Sequence, residues 1–276
     1  MLVALIGMMQ TRPVRRIFGA LCVPGFILLF ASNALSAEAP SMALDRLVAA
    51  YPDVLERHDA NRLYWRDGTS MPVSDGISGK SFEQLLKNGS ILDQLSLPYP
   101  IGQLTRPPAT NDDPGRFRNE PFMRKLYGDC RTGEVDRHMV PLTWLPKSWG
   151  KAVRATSVEG IAEQLKTISA EIDLLPPSIS DAAFPIAGIL SCRAVADTGK
   201  MSMHAYGAAI DLNLKVSDYW LWNKKGDLIQ YRNRMPQEIV DVFERHGFIW
   251  GGKWYHYDTM HFEYRPELLP PSQPNR

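Results

Sequence analysis

The sequence predicts an α+β fold: a small antiparallel sheet flanked by helices, with an N-terminal extension made of a helix and a hairpin. Helical apolar spacing alternates along the chain with short apolar runs of strand length, and this mixture is typical of the class. The chain has 276 residues, 45% of them hydrophobic and 22% charged, which excludes collagen, coiled coil and wholesale disorder. Its net charge of +1 argues against a nucleic-acid partner bound by phosphate neutralisation.

The N-terminal residues follow the order of a secretory signal peptide. Three arginines between positions 12 and 16 precede an apolar run at 17–30, and small residues follow it. This order predicts cleavage after Ser36 or Ala37, and the apolar run is short for a membrane span of about 20 residues. An uncleaved N-terminal anchor is the alternative. We therefore expect a periplasmic or secreted monomer with no membrane attachment after cleavage.

Removal of this leader changes the charge and the cysteine count. It leaves 28 basic residues against 30 acidic ones, a net charge of −2, and it leaves only Cys130 and Cys192. An even pair of cysteines in an oxidising compartment is a disulfide candidate. Two buried free thiols are an equally good interpretation, because sequence does not give their separation.

The first half of the chain combines short elements with a proline-rich connection. The patterns predict a helix, a strand that runs into a turn, a short helix and an extended connection without regular structure. Asp112 and Asp113, beside Pro114, are interpreted as a solvated turn. These four segments lie at 44–57, at 61–69, just after Ser81 and at 97–121.

The second half is more regular. An amphipathic helix is predicted at 158–172, and a second helix at 236–246 with Gly247 as its stop. Apolar runs and alternation predict strands at 185–192, 208–214 and 259–264. The resulting division is a signal peptide at 1–37, an N-terminal extension at 38–125 packed on the next domain, a second domain at 126–270 and a tail at 271–276.

Two polar segments in this second domain carry candidate chemistry. Residues 202–211 read SMHAYGAAID and residues 254–263 read WYHYDTMHFE, so imidazoles and carboxylates stand inside apolar, strand-like sequence. Such groups are costly to bury without a partner, and a divalent metal would satisfy them. His204, Asp211 and His261 form the three-ligand set of a catalytic Zn²⁺ site. Asp258, three residues before His261, is placed to accept a proton from water.

These segments resemble a known family. The pattern Ser-x-His-x-x-Gly-x-Ala-x-Asp, followed by Asp-x-x-His-Phe-Glu, is similar to the VanY-type D-alanyl-D-alanine carboxypeptidases and their L-alanyl-D-glutamate endopeptidase relatives, within the group of zinc peptidases that includes lysostaphin and the hedgehog domain. The resemblance covers about residues 186–268. It implies a hydrolase of peptidoglycan stem peptides whose catalytic domain is the segment 126–270.

The resemblance also implies roles for particular residues. His204, Asp211 and His261 would hold Zn²⁺, Asp258 would be the general base, and Arg193 would hold the substrate carbonyl or carboxylate. Four further positions are expected to contact the substrate or to orient the ligands, namely Ser202, Tyr206, Trp254 and Glu263. His256 has two interpretations, a substrate contact or an exposed loop histidine.

Two questions stay open at this point. A catalytically silent wall-binding module could keep the same fold and use zinc only for stability, although a structural site needs neither a base nor an open coordination position. Among enzymes, the motifs do not separate a D-Ala-D-Ala carboxypeptidase from an endopeptidase of the stem or cross-link, or from a dipeptidase.

Overall fold

The structure is a computed structural model that describes residues 39–195, 198–226 and 228–270, so the predicted signal peptide and tail lie outside the described residues. Glu38–Arg276 form one compact unit. Within the described ranges, no helix has the length and apolar character needed to cross a bilayer. The helices are α1 Pro40–Ala50, α2 Phe82–Asn88, α3 Ile91–Gln94, α4 Glu120–Tyr127, α5 Ile161–Ile172, α6 Pro177–Ser180, α7 Trp220–Asn223 and α8 Gln237–Arg245. The strands are β1 Leu55–His58, β2 Arg62–Trp65, β3 Ser70–Pro72, β4 Met139–Trp144, β5 Lys151–Thr156, β6 Ala209–Asp211, β7 Lys224–Lys225, β8 Leu228–Ile229, β9 Phe248–Trp250 and β10 His261–Tyr264.

The predicted α+β class is confirmed, because helices alternate with small antiparallel sheets. The N-terminal helix is shorter than predicted. α1 ends at Ala50, and Tyr51 leaves the helical region at φ −130° and ψ 58°. Pro52 explains this, since proline disfavours a helical conformation in the residue before it and has no N–H to donate. The chain then forms β1, which pairs with β2 and β3 in an antiparallel sheet.

Helices α5 and α8 cover the core of the second half. α5 buries one stripe of side chains, including Leu165, Ile168 and Ile172, as its apolar spacing predicts. α8 has Pro236 at its N-cap and is followed by Gly247 at φ +86°. A β-carbon at Gly247 would lie 2.6 Å from the Tyr264 ring, so this turn requires glycine for both its conformation and its packing.

A three-stranded antiparallel sheet lies at the centre of the C-terminal half, with the order β6–β10–β9. The predicted strand at 259–264 is present as β10, and the one at 208–214 is shorter, as β6. The predicted strand at 185–192 is wrong. That run makes only a single bridge, between Gly188 and Asp211, because Ile189 is its one buried side chain and the run has no side that packs on the core as a strand would. An apolar run alone does not distinguish the two outcomes.

The proline-rich connection has no helix or strand between residues 97 and 119, as predicted. It is nevertheless held firmly against the C-terminal half. The buried carboxylate of Glu244 accepts hydrogen bonds from the Tyr99 hydroxyl at 2.7 Å and the Gly102 N–H at 3.0 Å. Glu244 also pairs with the fully buried Lys253, whose ammonium donates to the Pro100 carbonyl at 2.6 Å. The connection is therefore a fixed part of the structure.

Candidate active site

The first candidate ligand lies on a tight turn. His204 belongs to a 3₁₀ turn at Met203–Tyr206, and the Ser202 hydroxyl caps this turn by accepting from the His204 N–H at 3.3 Å. Gly207 ends the turn at φ +65°, where a β-carbon would lie 2.6 Å from the sulfur of Met139. The glycine in the motif therefore lets the chain turn from His204 directly into β6.

The other two candidate ligands face each other across a strand pair. Asp211 ends β6 and His261 begins β10, and the two residues are directly opposed in the antiparallel register. Side chains of opposed residues project to the same side of a sheet. Glu263 is two residues further along β10, so it lies on the same side as His261.

Three donor atoms converge at this point. Nε2 of His204 lies 3.1 Å from Nδ1 of His261 and 3.1 Å from Oδ1 of Asp211. Nδ1 of His261 lies 3.0 Å from the same Asp211 oxygen. Ligands about 2.1 Å from a tetrahedral ion are separated by about 3.4 Å, so this triangle is close to the size that a metal requires.

The remaining ring nitrogens fix which atoms point inward. Nδ1 of His204 donates to the Ile189 carbonyl at 2.8 Å, and Nε2 of His261 donates to Glu263 at 3.0 Å. In its neutral form, the form that binds a metal, each ring presents a lone pair to the centre of the triangle. Such outer hydrogen bonds are the usual means by which proteins orient metal-binding histidines.

The surroundings of the triangle stabilise positive charge. Burial opposes a charge on His261, but its hydrogen bonds to Asp211 and Glu263 raise the pKa of His261 to about 10. Burial also opposes ionisation of Asp211, yet its hydrogen bonds with His204 and His261 hold the pKa of that carboxyl below its usual range. The three residues can hold a metal ion, and the donor types, the inward lone pairs and the electrostatics all fit one.

Asp258 lines the same pocket as the two histidines. Its Oδ1 atom is buried and has no hydrogen-bond partner within the described part of the chain. Burial and the nearby charge of Asp211 raise the pKa of Asp258 to about 6. A carboxylate with these properties can accept a proton near neutral pH and release it again.

Of the other predicted site residues, some line the pocket and Tyr206 does not. Ser202, Trp254 and Arg193 line the pocket, and Trp254 packs with its ring centre 5.6 Å from that of His261. Tyr206 was expected at the substrate or beside a ligand. It is buried, packs against Tyr127 at 5.6 Å and is not among the pocket-lining residues, because its turn directs the side chain into the core.

The two cysteines form a disulfide close to the pocket. Cys130 and Cys192 are joined with their Cα atoms 5.8 Å apart, across 62 residues of sequence. Cys192 directly precedes Arg193. The bond therefore fastens the exposed segment that carries Arg193 to the 3₁₀ turn at Cys130–Thr132.

Residues 196–264 match the family described as D-alanyl-D-alanine carboxypeptidase. The matched part is about a quarter of the chain and contains all three converging ligands and Asp258. No curated protein and no solved structure matches the chain. The match supports a peptidase of this general kind and does not distinguish a subtype within it.

Part of the site comes from outside the matched segment. Arg116 and Arg118, in the proline-rich connection, line the pocket. Asp113 is not the solvated turn residue that the sequence suggested: its side chain is fully buried at 0% exposure, because it pairs with His256 and Arg116. The charged run DPGRFR around Phe117 is the one sequence feature that could indicate a functional role for this connection. Nothing in that run indicates that its partners are residues more than 140 positions away.

Arg118 reaches the triangle of His204, Asp211 and His261 through Glu263. It donates to the Glu263 carboxylate at 3.3 Å, and Arg265 donates to the same group at 3.1 Å. Burial opposes ionisation of Glu263, but these arginines and His261 lower its pKa to about 2. The result is a permanently ionised, fully buried carboxylate that holds His261 in place.

Proposed function

We propose that this protein is a zinc-dependent peptidase that hydrolyses peptidoglycan stem peptides. The observation that carries the proposal is the convergence of His204 Nε2, His261 Nδ1 and Asp211 Oδ1 beside a pocket that both histidines line together with Asp258, whose buried Oδ1 has no hydrogen-bond partner among the described residues. Two imidazoles and one carboxylate are a typical donor set of catalytic zinc. A purely structural zinc site needs no proton acceptor beside it.

Each polar group then has a role in hydrolysis. When bound, Zn²⁺ supplies Lewis-acid polarisation of the scissile carbonyl and makes hydroxide available near neutral pH. Asp258 accepts the proton of the attacking water and passes it to the leaving amine. Arg193 donates hydrogen bonds to the carbonyl oxygen as negative charge develops there, which is a contribution of roughly 3–4 kcal/mol for one good donor. Glu263 keeps His261 in the tautomer that presents Nδ1.

The charge of the pocket suits the carboxylate of a carboxypeptidase substrate. Arg116, Arg118 and Arg193 line it, and guanidinium groups bind carboxylates in a planar, two-bonded geometry. A stem peptide that ends in free D-Ala has such a carboxylate on the residue that leaves. We therefore propose removal of a terminal D-Ala as the principal reaction.

We also propose that the protein acts in the periplasm or outside the cell. The order of basic, apolar and small residues at the N-terminus is that of a signal peptide. The disulfide between Cys130 and Cys192 is a bond typical of oxidising compartments. Peptidoglycan lies in the same compartment.

The test is incubation of the zinc-loaded protein with defined muropeptides, followed by mass spectrometry with and without a chelator. We expect chelator-sensitive loss of a single D-Ala. Asp258→Asn should retain stoichiometric zinc and lose at least a hundredfold in kcat, since general-base catalysis contributes about 10²–10⁴-fold. Asp112→Asn is the matched control, because Asp112 is exposed and does not line the pocket.

Three outcomes would change this conclusion. Cleavage after L-Ala or at a cross-link would replace the carboxypeptidase with an endopeptidase. Zinc binding without a chelator-sensitive product would indicate a wall-binding module. Full activity of Asp258→Asn would remove Asp258 from the mechanism.

A further inference from the structure

His256 lines the pocket but belongs to neither the candidate ligand set nor the base. Its position is fixed by Asp113, a fully buried residue of the proline-rich connection. One carboxylate oxygen of Asp113 accepts the backbone N–H of His256 at 3.0 Å, and the other accepts ring Nδ1 at 2.7 Å. Burial opposes ionisation of Asp113, but the hydrogen bond from His256 and the charge of Arg116 lower its pKa, so it is a carboxylate.

Aromatic neighbours fix the plane of the imidazole. The ring stacks on Phe82 with a centre distance of 5.5 Å and an interplanar angle of 23°. The ring of Trp220 meets it edge-on at 4.8 Å. Since Nδ1 is directed at Asp113, the neutral form of the ring carries its lone pair on Nε2, and Nε2 has no hydrogen-bond partner among the described residues. A buried carboxylate, a stack and an edge contact therefore orient one acceptor atom.

The charged side chains of the pocket lining, other than Asp258, are donors. Arg116, Arg118 and Arg193 have only N–H groups to offer, and these suit the carbonyl and carboxylate oxygens of a peptide. A bound peptide also brings N–H groups, which lose their water when they enter the pocket and need an acceptor. Asp258 is the proposed proton acceptor of the reaction, so it does not serve as the acceptor for a peptide N–H. In the neutral form of the ring, Nε2 of His256 is an oriented acceptor on the same pocket lining.

We propose that His256 Nε2 accepts a hydrogen bond from one peptide N–H of the substrate, and that Asp113 is the positioning residue that keeps this nitrogen an acceptor. This inference rests on the proposed peptidase function and adds a substrate-binding residue to it. The contact fixes the register of the peptide relative to the metal-binding triangle. It is independent of metal binding, because neither His256 nor Asp113 is in the ligand group.

The test is a scan of stem-peptide analogues in which each N–H in turn is replaced by an ester oxygen. His256→Phe keeps a flat ring beside Phe82 and removes Nε2. For the parent peptide, we expect kcat/KM of His256→Phe to fall about tenfold, the effect of one lost hydrogen bond. For one analogue only, kcat/KM of His256→Phe and of the unsubstituted protein should agree within about twofold, because the hydrogen bond is already missing there. The oxygen in that analogue then marks the N–H that His256 binds.

Asp113→Asn provides a second variant if His256→Phe is unstable. The asparagine oxygen would stay on the backbone N–H of His256, so its NH₂ group would face Nδ1 and shift the ring hydrogen to Nε2. This variant keeps the imidazole but converts the acceptor into a donor, and it should show the same dependence on a single N–H. Zinc content and thermal unfolding are measured for both variants.

The outcomes separate this inference from the proposed function. An equal loss of kcat/KM for every analogue, or no loss for any, would overturn the inference while the peptidase function stands. Hydrolysis of no peptide by the unsubstituted protein would overturn the peptidase function. In that case calorimetric binding of the same peptides decides the inference: affinity lost selectively on His256→Phe supports the contact, and unchanged affinity refutes it.

Discussion

Replacement of Glu263 by glutamine is expected to weaken metal binding without touching a metal ligand. Glu263 is fully buried and accepts a hydrogen bond from His261 Nε2 at 3.0 Å. Glutamine has nearly the same shape but no charge, and its NH₂ group can only donate. His261 and Arg118 both donate to Oε2 and Arg265 donates to Oε1, so the single glutamine oxygen leaves either Arg265 or the other two donors facing its NH₂ group. In either orientation His261 loses its anionic partner.

Two magnitudes follow from this geometry. Loss of an outer hydrogen-bond partner of a metal-binding histidine costs about 10–100-fold in metal affinity. Removal of one charge from a buried ionic cluster costs about 3 kcal/mol of folding free energy, the lower end of the usual range because Glu263→Gln keeps the volume. The zinc affinity is measured by competition with a chromophoric chelator, and stability by denaturant unfolding of the metal-free protein.

Glu267→Gln is the matched control for this experiment. Glu267 is also fully buried, accepts hydrogen bonds from Arg265 at 2.6 Å and Tyr51 at 2.7 Å, and makes no contact with His261. It should lose comparable stability and keep its zinc affinity. Equal zinc affinities for Glu263→Gln and the unsubstituted protein would refute the role assigned to Glu263. Equal losses in both variants would show that the effect is one of general stability.

Three other perturbations test separate parts of the structure. The double variant Cys130→Ser/Cys192→Ser should have a free energy of unfolding lower by about 4 kcal/mol, because the disulfide closes a loop of 62 residues. A reductant should lower the stability of the unsubstituted protein and leave that of the variant unchanged. Glu159→Gln should raise the Tm at pH 8 and leave it unchanged at pH 4. Burial raises the pKa of Glu159 to about 7, so the ionised side chain lowers the stability of the protein as the pH rises from the ordinary glutamate pKa through 7. A change in Tm that does not depend on pH would contradict this. Lys253→Met should lower the free energy of unfolding by about 3–5 kcal/mol, because it leaves the buried Glu244 without its cationic partner. The double variant Lys253→Met/Glu244→Gln should recover part of that loss, as measured by urea unfolding.

The motif residues of the site could be predicted from the sequence because their spacing reflects local geometry. His204, Gly207 and Asp211 lie on one turn and the strand that follows it, and Asp258 and His261 precede or begin a single strand. Amphipathic helices were predicted for the same reason, since a period of three to four residues specifies both the helix and its buried side.

The rest depends on contacts that are distant in sequence. Asp113 meets His256 across 143 residues, and Arg118 meets Glu263 across 145. No local pattern states whether a charged residue next to proline faces water or a buried partner. The helix end at Ala50 is a different case, since Pro52 is visible in the sequence and marks that end even though the apolar spacing continues beyond it.

The same long separations determine when the site can form as the chain is made. The hydroxyl of Tyr51 binds Glu267 across 216 residues, so the ionic network joins the first helix to the final turn of the described chain. A chain that emerges from its N-terminus exposes Asp113, Arg116 and Arg118 long before His256 and His261 exist. Contacts of such high sequence separation form late, after the cost in chain entropy has been met. The three candidate ligands therefore come together only after residue 261 has been made, and a metal held by them would stabilise the folded chain over the unfolded one.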